Sequence, residues 1–209
     1  MICRICLNHS SKIDVPVQRR KFCYCDNCGL IFVPEENWVS VEEEKERYEK
    51  HNNTPENKGY VKYLGQVAEI VGKLKKTSPR ILDFGSGKSA VLTGILKEHG
   101  LDCTAYDPLF DINTDIDGQL YDIIILCEVI EHLRNITDEL ARIKKLLKAD
   151  GTLIIRTRLY PSKAKIAEWW YAQDKTHINF FSRRTIDEVA RKLERFKITS
   201  EAEDIFIIE

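Results

Sequence analysis

An apolar strand runs into a glycine-rich turn at Ile81-Leu82-Asp83-Phe84-Gly85-Ser86-Gly87, and apolar residues then recur at helical spacing from Val91 to Leu96. Two glycines at a strand-to-helix turn let the backbone approach a ligand closely, because they carry no side chain that would exclude it. The helix that follows directs its first amide groups toward the same place. We therefore expect a ligand with a polar chain to bind at this turn.

The rest of the chain continues this alternation of apolar strands and amphipathic helices, which predicts an α/β fold with helices covering a mostly parallel sheet. Strands are predicted at 80–84, 103–106, 121–127, 151–157, 196–200 and 204–208. Helices are predicted at 56–75, 88–99 and 137–148, with a further helix after its capping residue Ser182.

Two kinds of phosphate-bearing ligand are compatible with a glycine-rich turn. A Walker phosphate loop is excluded, because the position five residues before Gly87 is Leu82 and not glycine. A dinucleotide stays open, since Gly85, Gly87 and Ala90 fit the glycine fingerprint and Asp107 follows the second strand, where it can hold ribose hydroxyls.

S-adenosylmethionine is the favoured ligand because Asp83 stands directly before the turn. A carboxylate there can pair with the ammonium group of the methionine portion, which a dinucleotide lacks. In the alternative without a ligand, Asp83 caps the helix and the two glycines form a plain tight turn.

The sequence resembles the class I S-adenosylmethionine-dependent methyltransferases over about residues 60–209. The order of the motifs is more specific than any one of them. In chain order the similar segments are 81–87, 105–107, 121–133 and 147–153, the last with Ala149-Asp150 where many members have proline or a second glycine. The resemblance implies a Rossmann-like sheet of seven strands, one of them antiparallel.

The resemblance also assigns site residues. It places Asp107 in the ribose-binding role and puts Cys127 and Glu128 beside the cofactor. With these, the expected cofactor-binding residues are Asp83, Gly85, Ser86, Gly87, Asp107, Cys127 and Glu128. For Glu131 and His132 we expect helix capping and exposure to solvent.

The first 34 residues carry two CxxC knuckles, Cys3-Arg4-Ile5-Cys6 and Cys25-Asp26-Asn27-Cys28, separated by 18 residues. This spacing predicts a zinc ribbon with four thiolate ligands, Cys3, Cys6, Cys25 and Cys28. Cys23 makes a poor knuckle with Cys25, so we expect it to lie outside the ligand set. Four thiols without a metal are the alternative, although so short a module can hardly build a core without a staple.

Basic residues between the knuckles, Arg19, Arg20 and Lys21, raise the question of RNA binding. Residues 1–33 hold five basic and two acidic side chains, a charge of +3. A four-thiolate zinc site contributes −2, and the whole chain has a formal net charge of −1. The balance does not favour nucleic acid as a partner. We expect the ribbon to orient substrate, cover the site or mediate assembly.

The segment 158–181 is rich in aromatic residues and is predicted to be a long functional loop with a short helix near 163–171. Its end, from Asp174 to Ser182, resembles an Asp-x-Thr-His-x-x-Phe-Phe-Ser pattern of bacterial methyltransferases. His177 is the candidate catalytic base. The alternative is a histidine that only hydrogen-bonds the aromatic loop.

Three segments are predicted: a zinc-ribbon module (1–34), an acidic and partly helical linker (35–58) and a methyltransferase domain (59–209). The sequence shows no signal pattern and no apolar run long enough to span a bilayer. We therefore expect a cytoplasmic protein that does not associate with a membrane. The predicted function is methyl transfer to oxygen, nitrogen or carbon of a small molecule. An RNA base methyltransferase and a non-catalytic cofactor-binding module are the alternatives.

Overall fold

The computed structural model describes residues 1–13, 20–113 and 115–209. The strands are β1 (Ser11–Ile13), β2 (Phe22–Tyr24), β3 (Ile31–Phe32), β4 (Arg80–Phe84), β5 (Asp102–Tyr106), β6 (Tyr121–Cys127), β7 (Leu147–Arg156), β8 (Asn179–Phe180), β9 (Ile198–Ala202) and β10 (Ile205–Ile208). The α-helices are α1 (Val41–Glu49), α2 (Lys58–Lys73), α3 (Val91–Glu98), α4 (Ile136–Leu146) and α5 (Arg183–Lys192).

The central sheet has six strands in the order β5-β4-β6-β7-β10-β9. Strands β5, β4, β6 and β7 are parallel, and β10 runs antiparallel to both of its neighbours. The predicted α/β fold and its mostly parallel sheet with one antiparallel strand are confirmed. Each predicted strand has a counterpart, with ends that differ by a few residues.

The prediction of seven strands is wrong for the described residues. Only 14 residues separate the end of β5 at Tyr106 from the start of β6 at Tyr121. A parallel crossover alone takes about a dozen residues, so this segment cannot hold an extra strand with two crossovers. It forms instead a 3-10 turn at Pro108–Phe110 and a bridge between Asp107 and Ile112, which leaves β5 at the edge of the sheet.

Helices cover both faces of the central sheet, and alternate residues of β6 show the two layers. Ile123 and Ile125 pack in a cluster with side chains of α2 and α3. Ile124 and Leu126 pack in a second cluster with side chains of α4 and α5. Burial on both faces explains why β6 is an almost continuous apolar run.

A second, four-stranded sheet joins the N-terminal segment to the chain after β7. Its order is β1-β2-β3-β8, and β3 pairs with β8 through Ile31 opposite Phe180 and Phe32 opposite Asn179. Below it, Phe22 and Ile31 share a buried cluster with Tyr171 and Phe180. The N-terminal segment is therefore packed on the aromatic segment, residues 158–181, which is predicted to be a functional loop.

That segment, 158–181, contains no α-helix, so the short helix predicted near 163–171 is replaced by 3-10 turns at Lys163–Lys165 and Trp170–Gln173. Residues 14–19 of the predicted ribbon lie outside the described residues. In the parts of the chain that the structure describes, no helix combines the length and apolar character needed to span a membrane.

Candidate active site and cysteine cluster

The carboxyl ends of the parallel strands meet at one edge of the central sheet, where α/β proteins bind their ligands. At this edge the turn after β4 holds Gly85 and Gly87 at φ values of 82° and 68°. A Cβ atom at Gly85 would stand 2.6 Å from Cγ2 of Val129. The amides of Gly85 and Ser86 donate to the carbonyl of Tyr106, at 2.7 and 3.0 Å. Glycine is thus required at position 85, and the turn lies close to the end of β5.

Asp107, directly after β5, connects its own loop to the glycine turn. One carboxylate oxygen accepts from the amide of Gly87 and the other from the amide of Leu109, both at 2.9 Å. Burial raises the pKa of Asp107 above its ordinary value, although these amides oppose the change. The structure brings Asp107 and the predicted turn residues together.

Asp83 lies deeper, between β4 and α3. Its side chain accepts a hydrogen bond of 2.9 Å from the hydroxyl of Thr93, and the residue is only 2% exposed. Burial raises the pKa of Asp83 to about 6. This carboxyl therefore changes its charge close to neutral pH.

Cys127 and Glu128 lie at the end of β6, on the same edge. Glu128 has φ 56°, a left-handed conformation that is uncommon for a residue with a side chain and is often found at functional sites. Its two carboxylate oxygens accept hydrogen bonds from the hydroxyl of Tyr63, at 2.8 Å, and from that of Tyr171, at 3.1 Å. Burial raises the pKa of Glu128. Glu128 thus connects α2 with the aromatic segment.

Glu131 is fully buried, so the expected exposure of this residue is wrong. A 3-10 turn at Ile130–His132 carries it beneath the aromatic segment. Its carboxylate accepts hydrogen bonds from Thr157, at 3.1 Å, and from Tyr171. Burial raises the pKa of Glu131 well above its ordinary value, and the neighbouring charge of Glu128 adds to this.

His177 is 9% exposed and lies beside His132, with 4.6 Å between the two ring centroids. Its Nδ1 atom donates to the carbonyl of Tyr171 at 2.7 Å, and Nδ1 of His132 likewise faces the carbonyl of Thr176 at 3.1 Å. Burial lowers the pKa of His177 to about 4 and that of His132 to about 3. Both imidazoles are therefore neutral at neutral pH.

Arg20 holds the segment that carries His177. Its guanidinium donates to the carbonyls of Ala172, Asp174 and Lys175, at 3.1, 2.9 and 2.8 Å, and to that of His177. Of the three basic residues considered for RNA binding, Arg20 is thus engaged within the chain. Arg19 lies outside the described residues.

The four predicted zinc ligands come together at the N-terminal segment. The sulfurs of Cys3 and Cys28 are 3.5 Å apart, those of Cys6 and Cys25 are 3.4 Å apart, and all four lie within 4.8 Å of one another. All four side chains are buried. Cys23 is not in this cluster, and its sulfur lies 3.2 Å from that of Met1.

Several site residues were not predicted from the sequence. Tyr63 belongs to a helix that was predicted, but helical periodicity identifies its buried face and not the partner of its hydroxyl. Thr157, directly after β7, and Tyr171, in the aromatic segment, contact Glu131 from positions far along the chain. Two histidines that follow Glu131 and Asp174 closely in sequence were the only local signal for this cluster.

Residues 56–194, more than half of the chain, match the family described as methyltransferase domain. The chain belongs to this family, as the order of its motifs predicted. A search of curated protein sequences finds no significant match.

Solved structures with a similar fold include three methyltransferases. An O-methyltransferase family protein from Burkholderia thailandensis has a TM-score of 0.57 and 14% identity, over 79% of this chain and 61% of its own. Mitomycin 7-O-methyltransferase has a TM-score of 0.57 and 17% identity, over 81% of this chain and 60% of its own. This chain therefore spans about three fifths of the length of these two proteins.

The third is 1,6-didemethyltoxoflavin-N1-methyltransferase from Burkholderia thailandensis, solved with 1,6-didemethyltoxoflavin and S-adenosylhomocysteine bound. Its TM-score is 0.56 and its identity 14%, over 95% of this chain and 97% of that one. At such identities the three structures show a shared fold.

Proposed function

We propose that the chain transfers a methyl group from S-adenosylmethionine to an oxygen or nitrogen atom of a small-molecule acceptor. The proposal is carried by the turn after β4, where Val129 closes the space beside Gly85 and Asp107 holds the amide of Gly87. A Cβ at Gly87 would have no heavy atom within 4 Å, so an extended polar ligand can approach the backbone there. When bound, S-adenosylmethionine supplies an electrophilic methyl group.

The donor side would be formed by the loops after β4, β5 and β6. The backbone of Gly85, Ser86 and Gly87 faces the methionine portion, and Asp83 attracts its ammonium group. Asp107 accepts from the ribose hydroxyls, because each of its oxygens holds one backbone amide and keeps a further lone pair.

Cys127 and Glu128 are proposed to flank the cofactor at the end of β6. Glu128 is fixed there by two tyrosine hydroxyls, one from α2 and one from the aromatic segment. It thus lies between the proposed donor side and the proposed acceptor side.

On the acceptor side, we propose His177 as the catalytic residue. Nδ1 donates to a backbone carbonyl, so Nε2 carries the lone pair. With no metal ion at His177, Nε2 takes the proton that an acceptor hydroxyl or amine gives up. The acceptor oxygen or nitrogen bonds to the methyl carbon as the bond from that carbon to sulfur breaks, which leaves S-adenosylhomocysteine. The imidazole is neutral at neutral pH, the form needed to accept a proton.

A small molecule is favoured over RNA as the acceptor for two reasons. The fold neighbours include enzymes named for mitomycin and for 1,6-didemethyltoxoflavin. Arg20, one of the basic residues that suggested RNA, donates to backbone carbonyls of the chain. We also propose that the chain consists of an N-terminal module (1–34), a linker (35–58) and a methyltransferase domain (59–209).

The four-cysteine cluster is proposed to hold a structural zinc ion. Thiolates around one tetrahedral zinc stand about 3.8 Å apart, for zinc–sulfur bonds of about 2.3 Å. Sulfurs at 3.4 and 3.5 Å in a buried cluster fit that arrangement after a small expansion. Zinc there would fix the N-terminal sheet that pairs with β8.

Thermal unfolding of the full chain with S-adenosylhomocysteine and with NAD tests the donor site. At 100 times the dissociation constant, S-adenosylhomocysteine should stabilise the chain by about 2.7 kcal/mol, whereas NAD should give no shift. Asp107→Asn should reduce the shift. The matched control is Asp102→Asn at the exposed start of β5, which should keep it. If NAD alone shifted the unfolding temperature, the proposal of S-adenosylmethionine as the donor would be wrong.

Turnover is tested by S-adenosylhomocysteine formation from S-adenosylmethionine with pools of phenols and amines, and separately with RNA. Product with the small molecules supports the proposal. Product with RNA alone, falling steeply with salt, supports the RNA base methyltransferase. Binding without product from either pool supports a non-catalytic module.

A further inference from the structure

Glu131, His132 and His177 form a cluster with metal-ligating atoms, in which Glu131 and His177 are buried and His132 is partly buried. Glu131, His132 and His177 each offer one ligand atom, and these atoms lie within 4.8 Å of one another. Ligand atoms around one tetrahedral ion stand about 3.4 Å apart, for bonds of about 2.1 Å. Small side-chain rotations therefore suffice to bring all three atoms onto a single ion.

The hydrogen bonds of the two histidines leave the same ring atom available to a metal ion. A carbonyl only accepts, so Nδ1–H of His132 donates to Thr176 and Nδ1–H of His177 donates to Tyr171. Each Nε2 atom then carries a lone pair. Donation from one ring nitrogen to a backbone carbonyl is the usual way in which proteins orient a metal-ligating histidine.

Glu131, the third residue of the cluster, is also oriented by hydrogen bonds. Its carboxylate accepts hydrogen bonds from Thr157 and Tyr171, which hold it in place as outer partners hold a ligating carboxylate. Among the ion pairs of the described residues, none includes Glu131. A fully buried carboxylate without a cation is costly and favours its neutral form, whereas a metal ion would supply the positive charge that stabilises the carboxylate.

We propose that Glu131, His132 and His177 bind one divalent transition-metal ion, separate from the ion proposed for the four cysteines. Two imidazoles and one carboxylate favour ions such as Zn²⁺, Fe²⁺ or Mn²⁺ over Mg²⁺ and Ca²⁺, which prefer oxygen ligands alone. Three protein ligands leave coordination positions open for a substrate atom.

A role of the ion in activating the acceptor rests on the proposed methyl transfer. Binding of the ion by the three side chains does not depend on that function. An acceptor hydroxyl on the ion would become more acidic and would release its proton to water. Its oxygen would then bond to the methyl carbon while the bond from that carbon to the sulfur of S-adenosylmethionine breaks, which releases S-adenosylhomocysteine. His177 has one free lone pair, so it ligates the ion in this form and takes no proton. The site therefore selects an acceptor with a hydroxyl group.

The test uses the full chain with one equivalent of zinc, which the four thiolates take first because they prefer this softer ion. Mn²⁺ is then titrated and its free concentration followed by electron paramagnetic resonance. The unaltered chain should bind one Mn²⁺. Glu131→Gln and His132→Asn should each weaken binding more than tenfold, the lower bound seen for changes to outer partners alone. His99→Ala, which removes an exposed imidazole outside the cluster, should bind as the unaltered chain does.

A second measurement does not depend on how the variants fold. In the unaltered chain, bound Mn²⁺ should broaden the ring-proton signals of His132 and His177 before that of His99. Three outcomes would each overturn the proposed metal site. The unaltered chain shows no saturable Mn²⁺ binding, or both cluster variants bind Mn²⁺ as well as the unaltered chain does, or the signal of His99 broadens first. Stabilisation by S-adenosylhomocysteine is measured separately, so failure of the metal site is distinguishable from failure of the donor site.

Discussion

Two aspartates at the carboxyl edge of the sheet lie in different surroundings, and this decides what each can do. Asp107 binds two backbone amides and shapes the loops after β4 and β5. Asp83 has a neutral hydroxyl, that of Thr93, as its side-chain partner and is almost completely buried. Its charge is therefore poorly compensated until a cationic ligand arrives.

At the residue scale, Asp83 should make ligand binding depend on pH. Burial raises the pKa of Asp83 to about 6, so the carboxyl is charged above that pH and neutral below it. Since the charged form attracts the ammonium group, S-adenosylhomocysteine should bind more weakly as the pH falls from 7 to 5. At pH 7, Asp83→Asn should lower affinity about ten- to hundredfold, as for loss of a charged hydrogen bond of about 1.5–3 kcal/mol.

Isothermal titration calorimetry from pH 5 to pH 8 measures both effects. The asparagine variant keeps an oxygen for Thr93 and should lose most of the pH dependence. An equal pH dependence in both proteins would assign it to another group, of which the buried Asp107 is the first candidate.

At the scale of elements, β4 and its turn were predictable because their signals are local. The apolar run ends in two glycines, and the structure places both of them at positive φ. The pairing of β3 with β8 was not predictable, since it joins Ile31 to Phe180 and depends on packing that no local pattern encodes. The missing seventh strand could have been predicted from length alone, because 14 residues lie between β5 and β6.

In the candidate site, too, some residues were predictable from local sequence signals and others were not. Asp107 could be predicted as a site residue because it directly follows a strand in a motif of the family, and His177 because its run resembles a methyltransferase pattern. The burial of Glu131 was missed, since a charged residue is exposed by default and its partners Thr157 and Tyr171 come from distant segments.

Arg20 should act as a positioning residue for the aromatic segment. Its guanidinium donates to four carbonyls between Ala172 and His177, and a lysine cannot reproduce this planar set of donors. Arg20→Lys should lower kcat with an acceptor while leaving the affinity for S-adenosylhomocysteine unchanged. We expect a loss of stability of about 1–3 kcal/mol, because four carbonyls, three of them in part-buried hydrogen bonds, lose this donor.

Urea unfolding and steady-state kinetics measure the two parts of this prediction. The adjacent Lys21→Ala removes an exposed basic side chain and serves as the matched control. If Arg20→Lys lowers kcat no more than Lys21→Ala does, Arg20 does not position residues 172–177 and the prediction is wrong.

At the scale of the whole molecule, two sheets share one stretch of chain. The central sheet carries the residues proposed to bind the donor, at the ends of β4, β5 and β6. The N-terminal sheet takes β8 from the segment that holds His177. Further hydrogen bonds connect the second knuckle to this region, from Tyr160 to the carbonyl of Gly29 at 2.7 Å and from Thr185 to that of Cys28 at 3.0 Å.

Loss of the proposed zinc ion should therefore impair the acceptor side and spare the donor side. Cys6→Ser should abolish zinc binding at the cluster, because four-thiolate sites need each ligand, and should release β3 from β8. Hydrogen exchange should then rise in residues 22–33 and 172–181, while calorimetry still detects binding of S-adenosylhomocysteine. Cys23→Ala, a change in the same sheet but outside the cluster, should keep both zinc and protection. If Cys6→Ser weakened donor binding as strongly as it loosened β8, the two sheets would be one cooperative unit and the separation of donor and acceptor sides would be wrong.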